Sequence, residues 1–220
     1  MSTKYFKFFE WFLVICLYIL LTLLLSSGID ALNIKNDILL NCLFIASEVL
    51  IAAIFVFIYR KDFKGKYQEL KSDEGNKKIF SSFKIWLIGL ALMIIFNIFL
   101  SIIIGDIAQN EEINRNVISN YSFYAITSMI LLTPICEEII FRLSISKMNV
   151  NKYIYIAFSG IIFGFAHVIS ATGLQTLYVI PYAALGCSFA YIYEKQKNIL
   201  CTILMHSVHN LICILIILFI

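Results

Sequence analysis

The stretch Thr133-Pro134-Ile135-Cys136-Glu137-Glu138-Ile139-Ile140-Phe141-Arg142 sets two adjacent carboxylates and an arginine inside an otherwise apolar run. An ionisable side chain at membrane depth costs roughly 3 kcal/mol on insertion scales. Three in one segment require partners, and the rest of the chain can be read by how it supplies them.

Of the 220 residues, 61% are hydrophobic and only 14% charged, and the mean hydropathy is +0.89. That balance excludes a soluble globular domain. Apolar runs at about 8–26, 38–59, 79–104, 117–146, 153–169, 174–193 and 199–220 are each read as a helix crossing a hydrocarbon core of roughly 30 Å. Membrane barrels use alternating segments of about 10 residues, so the expected fold is all-α, a polytopic transmembrane bundle of about seven spans. The first run outlasts the apolar part of a signal peptide and leads into further membrane spans, so it is read as retained. Cys16, Cys42, Cys136, Cys187, Cys201 and Cys213 lie in or against apolar runs without a Cys-x-x-Cys pair, as small packing residues do.

Seven spans put the amino terminus and the connections 60–78, 147–152 and 194–198 on one side. That side or the span ends nearest it then holds 15 of the 17 basic residues, leaving Lys35 and Arg115 opposite. By the positive-inside rule the amino terminus is expected in the cytoplasm and the carboxyl terminus outside, in a multi-pass protein of the cell membrane. The net charge of +3 is thus spread by topology and not gathered on a soluble face, and no nucleic-acid partner is expected. The 60–78 segment mixes seven basic with four acidic residues and reads as a cytoplasmic topology anchor. It divides two leading spans (1–78) from a five-span remainder (79–220) that holds all the candidate chemistry.

On a helix Glu138 sits over Arg142, while Glu137 is turned about 100° away. The spacing suggests that Glu138 is paired with the arginine and Glu137 is left free to accept a proton. Pro134 removes a backbone donor and should kink the span, freeing carbonyls beside the carboxylates. In Gly160-Ile161-Ile162-Phe163-Gly164-Phe165-Ala166-His167, Gly160 and Gly164 allow close helix approach, and His167 returns to nearly the face of Gly160. In the last run His206 and Asn210 share a face, with His209 close to it. These three histidines are the only ones in the chain, and all lie in apolar spans. At 1.5 Å per residue, Glu138, His206 and Asn210 lie roughly 10–16 Å from the cytoplasmic ends of their spans and His167 roughly 20 Å.

Together and in order, Glu137-Glu138-Ile139-Ile140-Phe141-Arg142, Phe163-Gly164-Phe165-Ala166-His167 and His206-Ser207-Val208-His209-Asn210 resemble the pattern of the CAAX protease and bacteriocin-processing (CPBP or Abi) family of intramembrane proteases. The resemblance covers about residues 117–215. It implies a four-helix catalytic core around a conical cavity, and hydrolysis of a peptide bond in a membrane-associated protein or peptide. It further implies that Glu137 and His167 activate water, with Glu137 as general base. Glu138 and Arg142 would orient that pair, and His206 with Asn210 would stabilise the oxyanion. Relatives in the family remove the last three residues of prenylated Cys-a-a-X tails. The Asn-, Ile- and Lys-rich composition points to a low-GC bacterium, where prenylated Cys-a-a-X proteins are not expected, so a bacteriocin precursor, a pheromone or a membrane-protein tail is the expected substrate.

A zinc site built from Glu137, His167 and His206 is the alternative to metal-free catalysis, which is favoured because the chain lacks His-Glu-x-x-His and Asn210 is a poor zinc ligand. A Cys136 nucleophile is discounted for want of its own general base. A non-catalytic immunity or scaffold protein is the competing reading from another class. A proton-coupled transporter is disfavoured because no pseudo-symmetric halves are evident. Glu48, mid-span in the second run, is expected to be hydrogen-bonded internally before it serves any substrate.

Overall fold

The computed structural model describes residues 3–120 and 122–219. Tyr121, inside the expected fourth span, and Ile220, the expected end of the seventh, lie outside the described residues. Among those described, every regular element is helical: α1 (Thr3–Ala31), α2 (Asp37–Ile58), α3 (Arg60–Phe63), α4 (Lys66–Leu70), α5 (Asp73–Ile104), α6 (Gln109–Asn120), α7 (Ser122–Thr127), α8 (Thr133–Glu138), α9 (Lys152–His167), α10 (Val179–Gln196) and α11 (Ile199–Phe219). Local capping sets several boundaries. Asn36 Oδ1 accepts from Leu39 N, Ser72 Oγ from Gly75 N and Asn151 Oδ1 from Tyr153 N, while Gly105 closes α5 at φ +79°.

Among the described residues, six helices are long and apolar enough to cross a membrane. The remaining apolar run, at 153–169, yields α9, whose 16 residues reach only about 24 Å. A turn and a 3-10 helix, Gly173–Tyr178, continue the chain from its end to α10. The fourth run also differs from expectation. Its first residues, 117–120, belong to the polar α6, and the spanning helix begins beyond Tyr121 and runs through α7 and α8.

The connections gather at two ends of the bundle. At one end Lys147 pairs with Asp62 at 2.7 Å, Asn198 Nδ2 donates to Lys66 O at 3.1 Å, and Lys78 Nζ donates to Gln196 O at 3.3 Å. Hydrogen bonds from Lys78 and Lys66 there hold the Glu69 carboxyl below its usual range. These contacts join the three basic connections that the charge count grouped. At the far end Tyr178 OH donates to Asp106 O at 2.6 Å, and Gln175 Nε2 to Ile107 O at 3.1 Å. The chain thus traverses the bundle through α9 despite that helix's shortness.

Helix α10 is central and packs on α9, α5 and α11, whereas α1 and α2 pair with each other and lean on the helix containing α8. Glycine decides the α9–α10 contact. A Cβ at Gly160 would lie 2.6 Å from the Cys187 nitrogen, one at Gly164 2.7 Å from Val179 O, and one at Gly186 2.9 Å from Gly160 O. The small-residue face read from Gly160 and Gly164 is therefore matched by Gly186 opposite. Replacing Gly160 by Ala should force the helices apart and lower stability by about 1–3 kcal/mol. Gly28→Ala, with nothing within 4 Å, should be neutral or mildly stabilising; thermal unfolding of both variants in detergent checks the contrast.

Candidate active site

The helix carrying the two carboxylates is interrupted twice by π-helical turns, Ser128–Leu132 before Thr133 and Ile139–Ser144 after Glu138. The first follows from Pro134. In a π turn residue 134 would donate to Met129 O, and proline has no N–H to give. Asn210 Nδ2 from α11 supplies that hydrogen bond, at 2.8 Å. The carbonyl that the proline was expected to free is thus taken by a residue of the third motif.

Glu138 and Arg142 are both fully buried, with Arg142 Nε donating to Glu138 Oε2 at 3.1 Å. Arg142 Nη1 also donates to Ser159 Oγ at 2.7 Å and Ser159 O at 3.2 Å, and Ser159 Oγ donates onward to Phe141 O at 2.6 Å. The guanidinium lies over the Phe163 ring at 4.7 Å and over the Phe189 ring at 5.8 Å. The other oxygen of Glu138 accepts from His206 Nδ1 at 2.9 Å, and His206 is stacked on Phe189 with ring centroids 4.8 Å apart. A carboxylate can only accept here, so Nδ1 carries the proton and Nε2 is aimed at Glu137 Oε2, 3.7 Å away.

Glu138 therefore orients His206, whereas the family pattern led us to expect it to orient Glu137 and His167. The cause is packing: α11 lies against α8, and His206 comes up at the level of Glu138. His167 sits at the last residue of α9. Its Nδ1 lies 2.9 Å from Phe163 O and so donates, leaving Nε2 with a lone pair. Its ring is stacked on Tyr182 at 4.8 Å and packed against Phe163 at 4.3 Å.

Glu137 lacks the close hydrogen bonds that Glu138 receives, its nearest basic neighbour being His206 Nε2 at 3.7 Å. Its Oε2 is buried and has no hydrogen-bond partner among the described residues. It borders a cavity of about 350 Å³ shared with His167, His206, Asn210 and Glu48. A second cavity, about 340 Å³ and more apolar, also meets His167, His206 and Asn210, and is walled by Phe163, Leu185 and His209. Glu48 is held on both oxygens, by Tyr124 OH at 2.6 Å and by Ser128 Oγ. His209 is buried with Nδ1 unpartnered, and its Nε2 lies 3.6 Å from Cys213 Sγ. Among the described residues no three His, Cys, Asp or Glu side chains come close enough together to hold a metal ion. The zinc set Glu137, His167 and His206 borders one cavity without forming a coordination shell.

Glu48, Glu137, Glu138, Arg142, Phe163, His167, His206, His209 and Asn210 were named from sequence; Ser159, Phe189, Tyr182, Tyr124 and Ser128 were not. Only Ser159, a hydroxyl adjoining Gly160 in an apolar helix, carried any local signal.

The fold is an all-α polytopic bundle of a multi-pass membrane protein, with a buried Glu–Arg–His relay beside a carboxylate that borders a cavity. Residues 119–212 match the family described as type II CAAX prenyl endopeptidase, Rce1-like, in keeping with the resemblance carried by the three motifs. The chain is 27% identical over 169 residues to the UPF0177 protein YajF of Lactococcus lactis subsp. lactis (strain IL1403), covering 76% of this chain and 80% of that protein. It is 30% identical over 81 residues to the UPF0177 protein YxdF of the same strain, covering 37% of this chain and 43% of that one. No solved structure matches the chain.

Removing one member of a fully buried ion pair strands the other. Glu138→Gln should therefore cost about 3–5 kcal/mol, and Glu138→Gln combined with Arg142→Met should recover part of it. Thermal unfolding in detergent measures both; equal losses in the single and double variants would show that the pair is not coupled.

Proposed function

We propose that the protein is an intramembrane endopeptidase that hydrolyses a peptide bond of a membrane-associated protein or peptide with a glutamate-activated water. The observation that carries this reading is the contrast between neighbouring carboxylates: Glu138 is neutralised by Arg142 and His206, while Glu137 faces a cavity with one buried oxygen unpaired. A stabilising role would have left both satisfied.

In this mechanism a water between Glu137 and His167 gives one proton to Glu137, and its oxygen attacks the scissile carbonyl carbon. His167 Nε2 accepts a hydrogen bond from the water's other O–H, which stays on the attacking oxygen, and fixes its orientation. His206, in its charged form a donor through both nitrogens, and the second N–H of Asn210 face the developing oxyanion. Collapse breaks the C–N bond, and Glu137 returns its proton to the leaving amine. Glu138 and Arg142 act on this sequence through His206, as positioning residues. The step is written without a metal, in keeping with a donor set that does not converge. Bacteriocin processing, or immunity conferred by cleavage, is the physiological setting this chemistry suits.

The purified protein, given a membrane-soluble quenched-fluorescent peptide, should cleave it, and Glu137→Gln should lower the rate by a factor of about 10²–10⁴ with an unchanged melting temperature. An unimpaired Glu137→Gln variant would leave a non-catalytic immunity or scaffold role. Metal analysis of the same preparation should find no stoichiometric zinc, and a chelator should leave cleavage intact; bound zinc whose removal abolishes activity would replace glutamate catalysis with metal catalysis.

A further inference from the structure

The two cavities at the catalytic cluster extend in one direction only. From Glu137 and His206 the first is lined by Thr133, Ser128 and Tyr124, successive steps up the spanning helix toward its start, and then by Asn110 and Asn114 of α6. The second rises past His167 and Tyr182 to Asn97 and the same two asparagines. All of these lead to the end of the bundle that holds the 105–109 and 170–178 connections. Among the described residues, no lining residue of either cavity comes from the basic connections 59–78, 147–152 or 194–198.

Toward the basic end the path is shut. Ile139, Leu143, Ile192, Ile199, Cys201 and Met205, each at most 3% exposed, fill the space beneath the Glu138–Arg142 pair. A separate hollow of about 300 Å³ at that end, bordered by Lys61, Lys64, Lys66 and Lys197, shares no residue with either cavity. The wall chemistry differs accordingly. Neither active-site cavity is lined by a lysine or arginine, and the lining includes the carboxylates Glu48, Glu111 and Glu137 with the asparagines Asn97, Asn110, Asn114 and Asn210.

The end onto which the cavities lead is the one the charge asymmetry assigns to the outside, carrying Asp30, Asp37, Asp106, Glu111 and Glu112 against Lys35 and Arg115. Its roof is α6, a polar helix tied to the 173–178 turn by Gln109 N to Gln175 Oε1 at 3.3 Å and to α10 by Asn110 Nδ2 to Tyr182 OH at 3.4 Å. We infer that substrate reaches the catalytic cluster from the extracytoplasmic face, beneath α6, so that the scissile bond belongs to the outer end of an exported or membrane-anchored peptide and not to a cytoplasmic tail. The substrate class rests on the peptidase reading; the direction of access does not.

Thiol labelling of the full chain in its native membrane tests the direction. Asn114→Cys and Lys64→Cys are compared with the parent chain, using a membrane-impermeant maleimide that adds a resolvable mass per thiol. In intact cells Asn114→Cys should gain a label to nearly the extent seen after lysis, while Lys64→Cys should be labelled about tenfold less than after lysis, since reaction requires an exposed thiolate. Labelling of Asn114→Cys only after lysis would overturn the inference, as would labelling of Lys64→Cys in intact cells. Failure of Asn114→Cys to react in either state would show that the cavity beneath α6 is closed, with the same result. None of these readings depends on turnover, so an inactive protein could show the outer opening and an active one could lack it.

Discussion

A carboxylate and a guanidinium, both withdrawn from water inside an apolar bundle, impose the constraint on which this structure depends. The Glu138–Arg142 pair is worth having only if its remaining donors and acceptors are met, because each ion carries a desolvation penalty of several kcal/mol. The pair is met from three further directions, with Arg142 Nη2 alone of its polar atoms left without a hydrogen-bond partner among the described residues. Helix α9 brings Ser159 and the face of Phe163, α10 brings Phe189, and α11 brings His206. Helix α9 must then lie close enough to α10 for its backbone to pass, which accounts for glycine at positions 160, 164 and 186. The packing of the core and the satisfaction of one ion pair are the same requirement.

The neighbouring carboxylate owes its reactivity to that arrangement. One residue of helix rotation carries Glu137 out of the relay and onto the wall of a cavity, where its Oε2 has no hydrogen-bond partner among the described residues. His206 links the two environments, tied through Nδ1 to the neutralised glutamate and presenting Nε2 to the free one. The site is therefore asymmetric in a useful sense. Its structural half is sealed by aliphatic side chains, and its chemical half opens into space lined by amides and carboxylates.

Much of this was legible along the chain, because the signals are local and periodic. Apolar run length marks the spanning helices, four-residue spacing pairs Glu138 with Arg142 and His206 with Asn210, and the distribution of lysines groups three connections that the structure joins through Asp62, Lys66 and Gln196. The motifs carry the residues now found around one cavity. Run length misjudged α9, where Ala166 and His167 close a helix that Val168 and Ile169 were expected to extend. It also merged the end of α6 with the span that follows, since hydropathy averaged along the chain does not mark where a polar helix ends.

What the sequence by itself determined is which residues are costly to bury and which of them share a helix face. Only the tertiary structure decided who compensates them: that Glu138 holds His206 and not His167, that Asn210 answers the carbonyl left open by Pro134, that Glu48 is bound by Tyr124 and Ser128, and that the cavities run toward α6. Those outcomes depend on how each helix is rotated and at what height it meets its neighbours. Rotation and height are set by the summed packing of several helices at once, and no single stretch of chain carries that sum.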